Sequence, residues 1–327
     1  MYNFCTIITA NYFPYALALC DSLLSQEKEV MLFVFVSDKP LEANQLIMAK
    51  DKPITIIYSP ELNNSSEIGQ KLAEKYQHVN QDAYRWCMKP ILLTYLLKKG
   101  LDRAIYVDCD IYFFSSYAFL FSVLETNNLL LSPHWRSSDP YLDATNFRLN
   151  FSDGIFNGGF IGASTGGKEA LNFWAMCCLY KCEVDKEKGF FDDQKYLDIL
   201  HSRFEGVEAI RHKGCNVANW NQVDCKREVN SEGEVLINNE FPIVFIHFTK
   251  SFYRGVLYYN DALLQPYLEQ FAQKLIEYGL PDQIDVQKKA HQKVLQEEKN
   301  KKKSLTLLEV KKTIKRYLMA AKAKIQD

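Results

Sequence analysis

Ala104-Ile105-Tyr106-Val107-Asp108-Cys109-Asp110-Ile111-Tyr112-Phe113-Phe114 sets the architecture of this 327-residue chain. The stretch is apolar for about the length of one strand and then breaks into two carboxylates separated by a single residue. Such a run, bounded by charge, predicts a strand buried on both faces. In open α/β sheets ligands bind outside the carboxyl ends of the strands, so acids at that edge face the ligand crevice. Two hard oxygen donors this close suit Mg²⁺ or Mn²⁺, which one or two carboxylates hold while waters and substrate phosphates complete the shell. Taken alone, Asp108 and Asp110 fit a second description equally well: the polar turn that ends a strand.

Upstream, residues 4–9, 30–36 and 54–58 are short β-rich apolar runs separated by helical patterns at 15–24 and 41–49. Alternating β and α units of this size predict a mostly parallel sheet. The first strand-to-helix turn of such a sheet is a natural nucleotide pocket. Thr9, Ala10, Asn11 and Tyr12 occupy it. Backbone groups there can read a base edge while Tyr12 stacks on its face, although an ordinary turn fits the same residues. A helix at 65–76, a polar break at 78–82 and a long helix at 83–99 follow. Lys89 precedes Pro90, where helical backbone is disfavoured, and so marks a kink or a helix start. From there its amine reaches either a sugar or phosphate oxygen, or solvent.

Downstream, a helix at 118–125 and a strand at 129–132 lead into a loop at 134–146, long enough to serve as a lid or binding element. A strand at 154–163 contains Asn157-Gly158-Gly159. Glycine inside a strand marks a bulge or the close approach of a ligand, here backbone beneath a sugar. After an apolar helix at 166–182, Asp192-Asp193-Gln194 stands at a helix start, where acids favour the helix whether or not they do chemistry. Residues 241–250 form a strand that carries His247 near its end. Imidazole is an acceptable third ligand for Mn²⁺, but a lone histidine is more often structural. A helix at 261–278 follows, and Gly279 and Pro281 break the chain after it.

In order, these segments resemble the motifs of GT-A-fold, nucleotide-sugar-dependent glycosyltransferases. Ile105-Tyr106-Val107-Asp108-Cys109-Asp110-Ile111 looks like their metal-binding Asp-x-Asp, and Lys89-Pro90 opens the preceding helix as in those enzymes. Phe156-Asn157-Gly158-Gly159-Phe160-Ile161-Gly162 resembles the Phe-Asn-x-Gly-Phe-Ile-Gly stretch of bacterial transferases, and Asn216-Val217-Ala218-Asn219-Trp220-Asn221 their Asn-Val-Ala-x-Trp-Asn. The resemblance spans residues 3–250.

The resemblance implies an α/β fold with a single Rossmann-type mixed sheet flanked by helices and a C-terminal helical extension. It implies a catalytic domain at 1–260; beyond that, the residues themselves read as a terminal helix and linker at 261–285 and a basic amphipathic helical tail at 286–327. Asp108, Asp110 and His247 would hold Mn²⁺ or Mg²⁺, as in family 8 and its relatives. Thr9, Ala10, Asn11, Tyr12, Lys89, Asp108, Asn157 and Gly158 would bind the donor, with Asp193 and Gln194 beside the acceptor and the anomeric carbon. Family-8 enzymes continue His-x-x-Gly-x-x-Lys-Pro-Trp, and Thr249-Lys250-Ser251-Phe252-Tyr253-Arg254 departs from it. Lys250, or Arg254, stands in for the diphosphate lysine. The implied reaction moves a sugar from a UDP-linked donor to a glycan or lipid-linked glycan in surface polysaccharide or lipopolysaccharide synthesis, with retention favoured over inversion.

Three rivals share some of these features. Haloacid-dehalogenase phosphatases place a nucleophilic Asp in Asp-x-Asp-x-Thr or Val, but Tyr112 stands at the last position here. A sugar-phosphate nucleotidyltransferase and a non-catalytic glycan-binding relative are the others.

With 47% hydrophobic and 13% aromatic residues the chain can bury a full core. A net charge of −1 gives no global case for nucleic acid. No stretch approaches the roughly 18 uninterrupted apolar residues of a membrane span, and the N-terminus lacks the basic flank of a signal peptide, so a cytoplasmic protein is expected. Nine scattered cysteines without a C-x-x-C pair fit neither a disulfide framework nor a zinc site. Cys177, Cys178 and Cys182 read as core thiols. The charge average hides residues 299–327, where ten Lys or Arg face only Glu309 and Asp327 and apolar residues recur at helical spacing. Such a helix lies on an anionic leaflet, on the catalytic domain, or on a second copy of itself. The first placement puts the protein on the inner face of the cytoplasmic membrane, beside a lipid-linked acceptor.

Overall fold

The computed structural model describes residues 1–258, 261–297 and 299. The strands are, in chain order, β1 (Tyr2–Ile8), β2 (Val30–Val36), β3 (Ile54–Tyr58), β4 (Arg103–Val107), β5 (Ile111–Phe113), β6 (Leu129–Pro133), β7 (Phe156–Ser164), β8 (Val207–Ala209), β9 (Arg227–Val229), β10 (Val235–Ile237), β11 (Phe241–Pro242) and β12 (Phe245–His247). Seven of them form the central sheet in the order β3-β2-β1-β4-β7-β6-β8. β3, β2, β1 and β4 are parallel neighbours. β7 runs antiparallel to both β4 and β6, while β8 is parallel to β6. The expectation of a mostly parallel sheet thus holds on the β3 side and fails at β7.

That reversal positions the site. Antiparallel neighbours need no crossover, so the chain leaves the carboxyl end of β6, makes an excursion on the ligand edge, and re-enters as β7 at that same edge. The first residues of β7 therefore lie beside the last residues of β4, in the register Val107↔Phe160. Both faces of β4 are buried. Ala104 and Tyr106 pack into one core layer, and Ile105 and Val107 into the other. This explains why the strand reads as an unbroken apolar run rather than an alternating one.

Several elements differ from the sequence-based expectation. The helix expected over 83–99 is two helices, Gln81–Cys87 and Lys89–Lys98, because Lys89-Pro90 starts a new helix after Met88. The loop expected at 134–146 gives way to a helix at Ala144–Ser152, capped by Asp143. None of its residues is buried, so no apolar periodicity announced it. The run 241–250 is not one strand. β11 pairs with β10, β12 pairs with β5, and a helix begins at Lys250.

Residues 1–280 form one compact unit, and the described residues from 281 onward belong to a second. The helix Gln265–Glu277 lies in the first and buries Leu268, Phe271, Ala272 and Leu275. In the second, residues 283–297 are helical. The basic amphipathic helix expected at 299–327 lies outside the described residues from 300 onward. Among the described residues no helix is long and apolar enough to cross a membrane. All nine cysteines are free, with Cys178 and Cys182 buried and Cys177 partly so.

Candidate functional site

β4 ends at Val107, and a tight turn, in which the Ile111 N–H donates to the Asp108 carbonyl at 3.1 Å, carries Asp108, Cys109 and Asp110 into β5. β5 pairs antiparallel with β12 in the register Ile111↔His247, and the Phe248 N–H donates to the Asp110 carbonyl at 2.8 Å. These backbone bonds deliver the imidazole to the acids. His247 Nε2 lies 3.1 Å from Asp110 Oδ1 and 3.8 Å from Asp108 Oδ2. One ligand atom from each of the three residues lies within 4.8 Å of the others.

The carboxylates are partly open to solvent, with side-chain exposures of 32% for Asp108 and 29% for Asp110, whereas His247 is buried. Burial disfavours the charged imidazole, but the Asp110 carboxylate more than offsets it and raises the pKa of His247. Burial likewise pushes Asp110 up, and the His247 charge and hydrogen bond bring its carboxyl below the usual range. Two hard oxygen donors and one imidazole nitrogen, with the carboxylates open on one side, fit a Mn²⁺- or Mg²⁺-sized cation that also takes phosphate oxygens.

β7 presses its backbone into this cluster. The Asp108 N–H donates to the Gly159 carbonyl at 2.9 Å, and the Gly159 N–H donates to Asn157 Oδ1 at 2.6 Å. A Cβ on Gly159 would lie 2.6 Å from His247 Cε1, 2.6 Å from Asn157 Oδ1 and 2.9 Å from Asp108 Oδ2, so this approach requires glycine.

Behind the acids sits Lys89, buried and at the start of its helix. Its Nζ donates to the Gly158 carbonyl at 2.9 Å and lies 3.1 Å from Asp193 Oδ2 and 3.9 Å from Asp108 Oδ1, with the Tyr106 ring beneath it at 5.3 Å. Burial pulls the amine down, but the Asp108 and Asp193 charges outweigh it and raise its pKa. Burial pushes the pKa of Asp193 up; Lys89 opposes the shift and the Asp192 charge adds to it. Gln194 accepts from the Gly158 N–H at 2.9 Å and donates to the Asp153 carbonyl at 2.8 Å. The turn before it is held by Asp192 at a positive φ of 42°, whose Oδ1 accepts from the Gln194 N–H. Asp108, Asp110, His247, Lys89, Asn157, Gly158, Asp193 and Gln194 thus form one connected network.

The first turn is a 3₁₀ helix, Ala10–Tyr12, that follows Thr9. Both backbone groups of Ala10 are already engaged: its N–H donates to Asp38 Oδ1 at 2.8 Å, and its carbonyl accepts from Gln45 Nε2 at 2.8 Å. Ala10 is thus held in the turn through both of its backbone groups. Tyr12 is half-exposed and rests on the Tyr15 ring at 5.1 Å. Partial burial raises its hydroxyl pKa, and the charges of Cys109 and Asp110 raise it further. Lys250 opens its helix exposed, and no hydrogen bond or ion pair holds it among the described residues.

Some contributors escaped the sequence reading. Tyr106 donates to Asp108 Oδ1 at 2.6 Å. Its i−2 spacing from Asp108 on a strand was the available signal. Asp38 and Gln45 act on a backbone across a different βα turn, and nothing in their local sequence marks them.

No family model matches the chain. Two uncharacterized proteins of Bacillus subtilis (strain 168) are similar to it. YfnF is 27% identical over 256 residues, 75% of this chain and 80% of that protein. YfnD is 27% identical over 257 residues, 76% of this chain and 77% of that protein. Among solved structures, the galactosyltransferase LgtC in complex with donor and acceptor sugar analogs superposes with a TM-score of 0.55 at 15% identity, over 87% of this chain and 99% of that one. At this identity the likeness is one of architecture: the chain has a GT-A fold.

Proposed function

We propose that the chain is a glycosyltransferase that moves a sugar from a nucleotide-diphosphate donor, UDP-linked, to a glycan or lipid-linked glycan of a surface polysaccharide. The convergence of Asp108, Asp110 and His247 at the ligand edge of a GT-A sheet carries this reading. These three residues would hold Mn²⁺ or Mg²⁺; when bound, the cation offsets the charge developing on the leaving diphosphate.

The remaining roles belong to the chain itself. Lys89 fixes the Gly158 carbonyl and balances Asp108 and Asp193 from behind, and so keeps the donor side in shape before any substrate arrives. Asn157 spends its amide oxygen on Gly159, which leaves its NH₂ as a donor for a sugar hydroxyl. In this reading Asn11 and the half-exposed Tyr12 would meet the ribose and base, and the exposed Lys250 the diphosphate. Inversion would need a base with access to the acceptor hydroxyl. Asp193 is 1% exposed and bound to Lys89, which favours retention and a positioning role for this carboxylate, with Gln194 beside it.

A thermal-shift panel of nucleotide sugars tests the reading, because a ligand that binds only the folded state stabilises it in proportion to the logarithm of its saturation. UDP-linked sugars are expected to raise Tm only with Mn²⁺ present. No shift with any nucleotide sugar, or equal shifts without the metal, would contradict it.

A further inference from the structure

The segment 216–221 has no part in the transfer reading, yet it backs directly onto His247. Val217 is tied to β12 on both sides: its N–H donates to the Phe245 carbonyl at 3.1 Å, and the His247 N–H donates to the Val217 carbonyl at 3.1 Å. Asn216, at a positive φ of 58°, donates its Nδ2 to the Pro133 carbonyl at 3.1 Å. Trp220 Nε1 donates to the His134 carbonyl at 3.0 Å, and Asn221 Nδ2 donates to the same oxygen at 3.3 Å. The segment therefore fixes the backbone of His247 and, through the end of β6, fixes the indole itself.

So anchored, the indole stands at steep angles to two imidazoles. Its centroid lies 5.8 Å from that of His247 at 84° and 5.6 Å from that of His134 at 72°. A metal-binding histidine ordinarily donates its second ring N–H to a neighbouring acceptor, and that bond sets the rotation of the ring. His247 departs from this pattern, because its Nδ1 is buried and has no hydrogen-bond partner among the described residues. Its backbone alone does not fix the ring about Cβ–Cγ, where the rotational wells are broad.

We propose that Trp220 is the positioning residue for His247, and that edge-to-face packing replaces the missing hydrogen bond to keep Nε2 turned toward Asp108 and Asp110. The proposal rests on the metal reading of those three residues, but ring orientation can be measured without any metal. Trp220→Phe keeps an aromatic ring against His247 and drops only the bond to His134, whose carbonyl Asn221 still serves. Trp220→Ala removes both.

Two measurements on the full chain without nucleotide test this. Electron paramagnetic resonance of free Mn²⁺ gives the metal affinity, and imidazole NMR of the metal-free protein reports the state of the His247 ring. Trp220→Ala is expected to weaken Mn²⁺ binding about tenfold or more, the usual penalty for losing a partner that orients a ligand. Its His247 signals should broaden or split, while Trp220→Phe stays close to wild type in both. Unchanged His247 signals in Trp220→Ala overturn the proposal, as does equal weakening in the two variants, which would assign the effect to the His134 tether. If the wild type binds no Mn²⁺, the metal reading falls, and the NMR comparison still decides the role of Trp220.

Discussion

On one side of the Lys89 amine lie Asp108 and Asp110, with side chains 32% and 29% exposed, beside a buried His247. On the other lie Asp193 and Gln194, at 1% and 9% exposure, the first ion-paired with Lys89 and the second hydrogen-bonded to Gly158 and Asp153. The two sides use the same chemistry, carboxylate against cation, for different ends. Carboxylates left partly in water keep lone pairs for an exchangeable ligand. A carboxylate sealed against a lysine cannot exchange its partner without leaving a buried charge alone, so it holds geometry. Mutations should therefore separate stability from binding across Lys89.

The largest effect is expected from Lys89→Met, which leaves Asp193 buried without its cation. Breaking a buried pair from one side costs about 3–5 kcal/mol, here measurable by urea denaturation. Adding Asp193→Asn should recover part of that loss. Asp110→Asn, on the open side, should cost clearly less, because the His247 imidazole left behind can give up its proton. Equal costs for the two single variants would break the comparison.

Gly159→Ala comes next, because its Cβ would press on His247, Asn157 and Asp108 together. Overpacking of this kind costs about 1–3 kcal/mol. It should also weaken Mn²⁺ binding, since the crowded atoms belong to the open side. Wild-type stability and metal affinity in this variant would mean that β7 yields readily there.

The smallest effect is a slope with pH. Burial and the neighbouring Arg136 hold the pKa of His134 well below its ordinary value. The unfolded chain takes up a proton near its ordinary pKa of about 6.5 that the folded chain refuses. Stability should therefore fall as pH drops below about 6.5, by up to about 1.4 kcal/mol per pH unit. His134→Gln should flatten that slope and leave stability at pH 8 nearly unchanged. An identical slope in the variant would remove His134 as its source.

The legibility of the site followed the same division. Asp108 and Asp110 were readable because acids at the end of an apolar strand are conspicuous, whereas His247 joined them only through the resemblance, since a lone histidine at a strand end is more often structural. Lys89 was readable through Pro90, and Asn157-Gly158-Gly159 through glycine where a strand ought to exclude it. The antiparallel entry of β7 was not, since a strand buried on both faces reads the same in either direction. Nor was the helix Ala144–Ser152, which buries nothing and so carries no periodic signal. Asp38 and Gln45 were missed for another reason: each acts by accepting from or donating to a backbone group brought near only by the fold, and Trp220, which lies within the Asn-Val-Ala-x-Trp-Asn resemblance, showed no role until its own bond to the His134 carbonyl was seen.

The central claim is that Asp108, Asp110 and His247 hold the cation that recruits the donor diphosphate. Calorimetric titration of UDP into wild type and Asp110→Asn, each with and without Mn²⁺, tests it most directly. The expected result is Mn²⁺-dependent binding by the wild type and its loss in an Asp110→Asn protein that unfolds at the same urea concentration. Mn²⁺-dependent affinity that survives in the folded variant would contradict the account.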